Sequence, residues 1–298
     1  IVLGAALARI RFLGAQFMAD LNKLAFWIAL PALLFSSASD AAAFDGKTLR
    51  LFAVLVGGTA LIILFAALAS SVLRMPRSAR GTLIQSAFRG NLAYIGIPLL
   101  ASSFSVDTAG SERALATAVV VMVLTMALYN ILAVIVLQSS LPSPRGIDWR
   151  RSLLSILSNP LLLAGVLGLV VPVLQIKLPA FLEAALELLG GAAIPIALMC
   201  IGGSLATTHM QGRRSWIITA ALLKVCVLPA VVFVLARWAG LAPAEQRTAL
   251  VLSSCPTAAA AFIMARQMGG DEALASGSIV LSTCLSALSL SLAIWITS

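Results

Sequence analysis

The sequence predicts an all-α polytopic membrane protein of about ten transmembrane helices, arranged as two inverted five-helix repeats with the fourth and ninth helices broken. Three observations lead there. The composition is far too apolar for water, apolar runs recur along the whole chain, and the two halves correspond in the order of their motifs.

Of the 298 residues, 61% are hydrophobic and 10% are charged; the mean hydropathy is +1.06. A single soluble core cannot hide that much apolar surface, so lipid is the expected solvent. A bilayer crossing needs roughly 20 apolar residues, which leaves room for the spans, short loops and little else. The formal charge of +9 would suggest nucleic acid in a soluble protein. Here the bases punctuate apolar runs, as loops at an anionic membrane face would, and no nucleic-acid partner is expected. Cys200, Cys226, Cys255 and Cys284 lie inside apolar runs without a C-x-x-C pair and read as free thiols. No cofactor motif and no metal-ligand spacing occurs. The chain starts at Ile1 with no basic stretch ahead of the apolar run and reads as truncated.

Apolar stretches occupy residues 1–10, 21–38, 51–73, 82–105, 112–138, 153–174, 183–206, 216–237, 246–267 and 273–297. Asn159-Pro160 and Pro243 mark the starts of the sixth and ninth, because proline at a first helical position loses an N–H that had no partner. If the first helix enters from outside, the bases Arg9, Arg11, Arg74, Arg77, Arg80, Arg145, Arg150, Arg151, Arg213, Arg214 and Arg266 fall in inner loops. Lys47, Arg50, Arg113, Lys177, Arg237 and Arg247 fall outside. The bias predicts both termini outside the cell membrane and a cytoplasmic linker at 139–152, rich in Pro142, Pro144 and Gly146. The linker separates a first repeat (1–138) from a second (153–298).

Displacing the sequence by 164 residues lays Val2-Leu3-Gly4 on Val166-Leu167-Gly168 and Ala29-Leu30-Pro31 on Ala193-Ile194-Pro195. A slightly smaller displacement lays Ala114-Leu115-Ala116 on Ala273-Leu274-Ala275. With five spans in each repeat the second must be inverted, which is the plan of many secondary transporters. The same offset starts the first helix about a dozen residues before Ile1.

In the fourth span, Arg89-Gly90-Asn91 through Gly96-Ile97-Pro98 places glycines, a capping residue and a proline at mid-membrane, where a continuous helix is not expected. Ser253-Ser254-Cys255-Pro256-Thr257 does the same in the ninth, and the offset sets Cys255 against Asn91. Unpaired backbone at bilayer depth needs protein or a water-filled cavity to satisfy it, so the paired breaks predict a polar cavity at the repeat interface. Pro31, Pro195 and Pro229 stand in smooth apolar spans and read as kinks or packing positions.

Arg89 and Lys224 are the charges placed well inside spans, each costing about 2.5–3.5 kcal/mol at mid-helix on insertion scales. Two readings stay open for them: lining a pathway, or snorkelling to the cytoplasmic surface. Asn130 reads as interhelical glue, Glu183 and Glu187 as an exposed pair, and His209 as a solvated loop residue. No acid falls near either break, so the coupling ion is not legible.

The run from Gly90-Asn91-Leu92 to Gly96-Ile97-Pro98 resembles the fourth-helix motif of the auxin efflux carrier family of permeases. The likeness extends through Asn159-Pro160, the Gly190 to Leu205 helix, Lys224 with Pro229, and the Pro256 helix. It implies a crossover of two broken helices, a mobile transport domain against a scaffold of the first, second, sixth and seventh helices, and frequent homodimers. Bacterial members are associated with organic anions such as malonate, plant members with auxin. Ala258 to Ala261 depart from the Pro-x-Gly pattern of the plant carriers.

The expected function is a secondary transporter that moves a small organic anion, a carboxylate, across the bilayer. The expected substrate-binding residues are Arg89, Gly90, Asn91, Gly96, Pro98, Lys224, Ser253, Ser254, Cys255, Pro256 and Thr257. The anion expectation rests on the embedded bases and on helix halves beginning near Leu92 and Pro256, whose N–H groups and positive dipole ends suit an anion. A sodium-coupled symporter of the bile acid type is the alternative carrier, and a receptor or channel the alternative outside transport. A membrane enzyme lacks its residues: no H-E-x-x-H, no embedded histidine and no aspartate pair in the spans.

Overall fold

A computed structural model describes residues 2–10, 12–39, 46–104, 109–140, 160–207 and 212–297. Among them every element is a helix, and an isolated bridge between Gly90 and Thr257 is the one β-type pairing. Asn159, His209 and most of the predicted linker lie outside the described residues; Ser139 and Ser140, expected in that linker, close a helix instead.

Two compact units emerge, each drawn from both halves of the sequence. The first comprises Ile1–Asp45, Ala93–Val123 and Leu157–Thr208; the second comprises Gly46–Leu92, Leu124–Ile156 and His209–Ser298.

In the first unit, α1 (Val2–Arg9) packs on α9 (Ala180–Thr207), and α3 (Leu30–Ser39) packs on both α8 (Pro160–Val173) and α9. Small residues let these backbones touch, as membrane helices without a hydrophobic driving force between them require. A Cβ on Gly4 would clash with the Met199 carbonyl oxygen, and one on Gly168 would lie 2.6 Å from that of Phe35. Between α2 (Ala15–Leu24) and α3 the chain makes a π-helical turn, Ala25–Ala29.

The second unit holds α4 (Gly46–Val72), α5 (Arg77–Phe88), the distal part of α7 (Ala109–Ser140), α10 (Arg214–Leu222), α11 (Leu228–Trp238), α12 (Pro243–Ser254), α13 (Ala260–Met268) and α14 (Glu272–Thr297). Met75, Ala79 and Leu83 of its first segment meet Ile217, Ala220 and Leu274 in a buried core. Helix ends follow local chemistry. Pro243 opens α12, and the Glu245 carboxylate accepts from the Ala242 amide at 2.8 Å. The Asp271 carboxylate caps α14 by accepting from the Leu274 amide at 2.9 Å. Gly269 ends α13 at φ +73°, a conformation glycine adopts without a Cβ penalty.

Six helical runs among the described residues are long and apolar enough to cross a bilayer: Gln16–Ser39, Gly46–Val72, Ala114–Ser140, Ala180–Cys200, Arg214–Trp238 and Glu272–Thr297. The predicted stretches at 82–105 and 246–267 hold interrupted helix pairs, and those at 1–10 and 153–174 hold the short α1 and α8. Large apolar side chains point outward along these helices, with Phe181, Leu188, Trp238 and Trp295 all more than three-quarters exposed. Such a surface belongs against lipid, and the two tryptophans, near the ends of α11 and α14, suit the membrane interface. The protein is a multi-pass, all-helical membrane protein.

Prolines explain three irregularities. The π turns Ala25–Ala29, Leu92–Gly96 and Leu223–Val227 each end two residues before a proline: Pro31, Pro98 and Pro229. Proline removes an amide donor and crowds the carbonyl one turn back, and a locally widened turn relieves both. Pro195, in contrast, stands inside an unbroken α9.

Candidate functional site

Helix α5 ends at Phe88, and Arg89 turns to an extended conformation with ψ +96°. Helix α12 ends at Ser254, and Cys255 turns out with ψ +139°. The second break follows from Pro256, which disfavours helical geometry in the residue before it. The two extended pieces meet. Gly90 pairs antiparallel with Thr257, the Asn91 amide donates to the Pro256 carbonyl at 2.7 Å, and the Ala258 amide donates to the Arg89 carbonyl at 2.9 Å. Each break therefore satisfies backbone groups that the other leaves without helical partners.

Side chains complete the pairing. The Thr257 hydroxyl donates to the Ser86 carbonyl at 2.8 Å, and the Thr257 amide donates to the Ser282 hydroxyl at 3.0 Å. The Gln85 carboxamide donates to the Ala261 carbonyl at 2.8 Å. Among the described residues, three buried polar atoms at the ends of these two helices have no partner: Gln85 Oε1, Ser86 Oγ and Ser254 Oγ.

Both embedded bases converge on the crossover and neither snorkels. Lys224 is fully buried and its ammonium donates to the Ser253 carbonyl at 2.8 Å. A Cβ on Gly90 would stand 3.5 Å from Lys224 Nζ, so the absence of a side chain at Gly90 leaves the ammonium beside the first break as well. Lys224 lies in the π turn ahead of Pro229, so that proline shapes the turn that carries the base. Arg89, 7% exposed, donates to the Asn130 carboxamide oxygen and to the Met264 sulfur. The Asn130 reading as interhelical glue is thereby specified: it holds a guanidinium. Among the described residues the ion pair is Lys23 with Asp20 on α2, and no carboxylate meets Arg89 or Lys224. No cluster of His, Cys, Asp or Glu suited to a metal occurs among them either.

Of the predicted site residues, Arg89, Gly90, Asn91, Lys224, Ser253, Ser254, Cys255, Pro256 and Thr257 share the second unit and gather at the crossover. Gly96 and Pro98 belong to the first unit, in the π turn and at the start of α6 (Ile97–Phe104). The Asn91 side chain is partly exposed and has no hydrogen-bond partner among the described residues. The expectation of a helix starting near Pro256 needs correction. Helix α13 starts at Ala260, and the amides of Thr257 and Ala258 are already bonded. Gln85, Ser86, Met264 and Ser282 were not foreseen. The signal for the first two was a polar pair one turn before the Arg89-Gly90-Asn91 break, inside an otherwise apolar stretch.

The family described as membrane transport protein matches residues 1–296 of this chain. An uncharacterised transporter of Methanocaldococcus jannaschii is 25% identical over 237 residues, covering 77% of this chain and 73% of that protein. With two interrupted helices pairing at a buried, basic crossover, the chain belongs to the membrane transport protein family of auxin efflux carrier type.

Proposed function

We propose that the protein is a secondary transporter that moves a small organic anion, a carboxylate, by alternating access at the crossover. The observation that carries this reading is the pair of buried cations at the crossed breaks, Arg89 and Lys224, without a carboxylate partner among the described residues. A buried charge costs several kcal/mol unless it is paired, and a bound anion supplies the missing charge. An ammonium has three donors; Ser253 takes one. The partly exposed Asn91 carboxamide adds an adaptable donor and acceptor beside them. A cationic substrate would meet repulsion from both bases.

The same reading places the site where two inverted repeats meet, with one broken helix supplied by each. The corresponding positions of the breaks and the gathering of the third, eighth and tenth spans into one unit support it. The basic-residue bias supports termini outside the cell membrane. The family resemblance supports a homodimer. Uptake kinetics in proteoliposomes test the anion assignment: Arg89→Gln or Lys224→Gln raises the half-saturating concentration for a carboxylate, more for a dicarboxylate than for a monocarboxylate. Transport of organic cations, or unchanged anion kinetics in both variants, overturns it.

A further inference from the structure

The broken end of α12 poses an electrostatic problem that Lys224 answers. A helix C-terminus carries roughly half a negative charge on its unpaired carbonyls, and here that end is buried. The neighbouring carbonyls receive neutral donors. The Ser253 hydroxyl donates to Leu250 at 3.0 Å, the Cys255 thiol to Val251 at 3.2 Å, and the Ser289 hydroxyl to Ser254 at 3.3 Å. Only the Ser253 carbonyl, among these, receives a full positive charge, at 2.8 Å from Lys224 Nζ. In ion-coupled carriers, half-helix C-termini and unwound carbonyls are where Na⁺ is coordinated.

We propose that the Lys224 ammonium is a tethered cation that takes the place of a coupling Na⁺ at the C-terminal end of the broken α12, so that the crossover is held together without sodium. The geometry is that of an ion site filled from within. The ammonium is fully buried, although a lysine stem is long enough to seek water. The π turn Leu223–Val227 carries it, and Gly90 leaves it room against the opposite break. An ammonium and a sodium ion are both compact unit charges that bind carbonyl oxygens. The functional consequence, sodium-independent transport, rests on the transporter reading above; the charge replacement itself does not.

Thermal unfolding of the purified protein in detergent tests the replacement without any transport measurement. Scans are run at constant ionic strength in sodium, methylammonium or choline chloride. Wild type is expected to melt at the same temperature in all three. Lys224→Ala, which empties the position, is expected to melt several degrees lower in choline and to recover saturably in sodium or methylammonium. Lys224→Met, which refills the space with an uncharged chain, is expected to show no such recovery. A saturable stabilisation of wild type by sodium overturns the proposal, as does a Lys224→Ala protein indifferent to the cation. If Lys224→Ala cannot be purified, binding of radioactive sodium to wild type decides. No saturable binding is expected, and saturable binding contradicts the tethered cation. A protein that transported no anion at all would still give these melting results, so failure of the transport reading remains distinguishable.

Discussion

The Asn91 amide donates to the Pro256 carbonyl at 2.7 Å, joining two breaks that lie on opposite halves of the chain. The bond is made by backbone alone, so substitution of the Asn91 side chain leaves it intact. Asn91→Leu is therefore expected to insert and melt like wild type while losing transport. Wild-type uptake by this variant would remove the carboxamide from the site.

Thr257 links the same breaks through its side chain. Thr257→Val keeps the shape and deletes the donor to the Ser86 carbonyl, leaving a buried acceptor unsatisfied at a cost of about 1–3 kcal/mol. The expected result is a lower unfolding temperature. Thr257→Ser, which keeps the hydroxyl, is expected to stay closer to wild type.

The partnership of Arg89 with Asn130 predicts a non-additive pair. Asn130→Leu strips a buried guanidinium of its oxygen acceptor, leaving the Met264 sulfur, and is expected to destabilise by about 1.5–3 kcal/mol, in the range for hydrogen bonds to charged groups. In an Arg89→Gln background the same change is expected to cost much less, because the charge that needed the acceptor is gone. Equal costs in both backgrounds would show that the two side chains are not coupled.

Packing in the first unit yields a matched glycine pair. Gly168→Ala sets a methyl against the Phe35 backbone, which cannot swing aside, so overpacking of about 1–3 kcal/mol is expected. At Gly191 a Cβ meets nothing within 4 Å, and alanine there is expected to be neutral or mildly stabilising. Thermal scans of the two variants separate these outcomes.

Much of this architecture was legible because lipid imposes strong rules. Apolar runs of fixed length marked the helices, and Gly90, Asn91 and Pro256 marked the breaks. Other features depended on distance in space. That Thr257 would reach Ser86, or that Asn130 would hold Arg89, follows from how the chain crosses itself, which local propensity does not encode. Pro31 and Pro229 read as kinks or packing positions, because in sequence a π turn differs from a kink only in where the carbonyls find partners. The start of α13 was misjudged for a related reason: Pro256 breaks the helix, and the residues after it are drawn into pairing with Gly90 before helix resumes at Ala260.

Orientation is accessible to labelling. Arg74 and Lys177 are both exposed, and the charge bias puts the first inside and the second outside. With single cysteines in a Cys-free background, an impermeant reagent on intact cells is expected to label Lys177→Cys, and Arg74→Cys only after permeabilisation. The opposite pattern would invert the topology.

The most direct test of the central claim is counterflow in proteoliposomes loaded with unlabelled substrate, challenged with labelled mono- and dicarboxylates, aromatic acids and organic cations. The crossover account predicts transient accumulation of at least one labelled carboxylate by the wild-type protein, none by Asn91→Leu, and none of any cation. Accumulation of a cation, or of a carboxylate equally by wild type and Asn91→Leu, would contradict it.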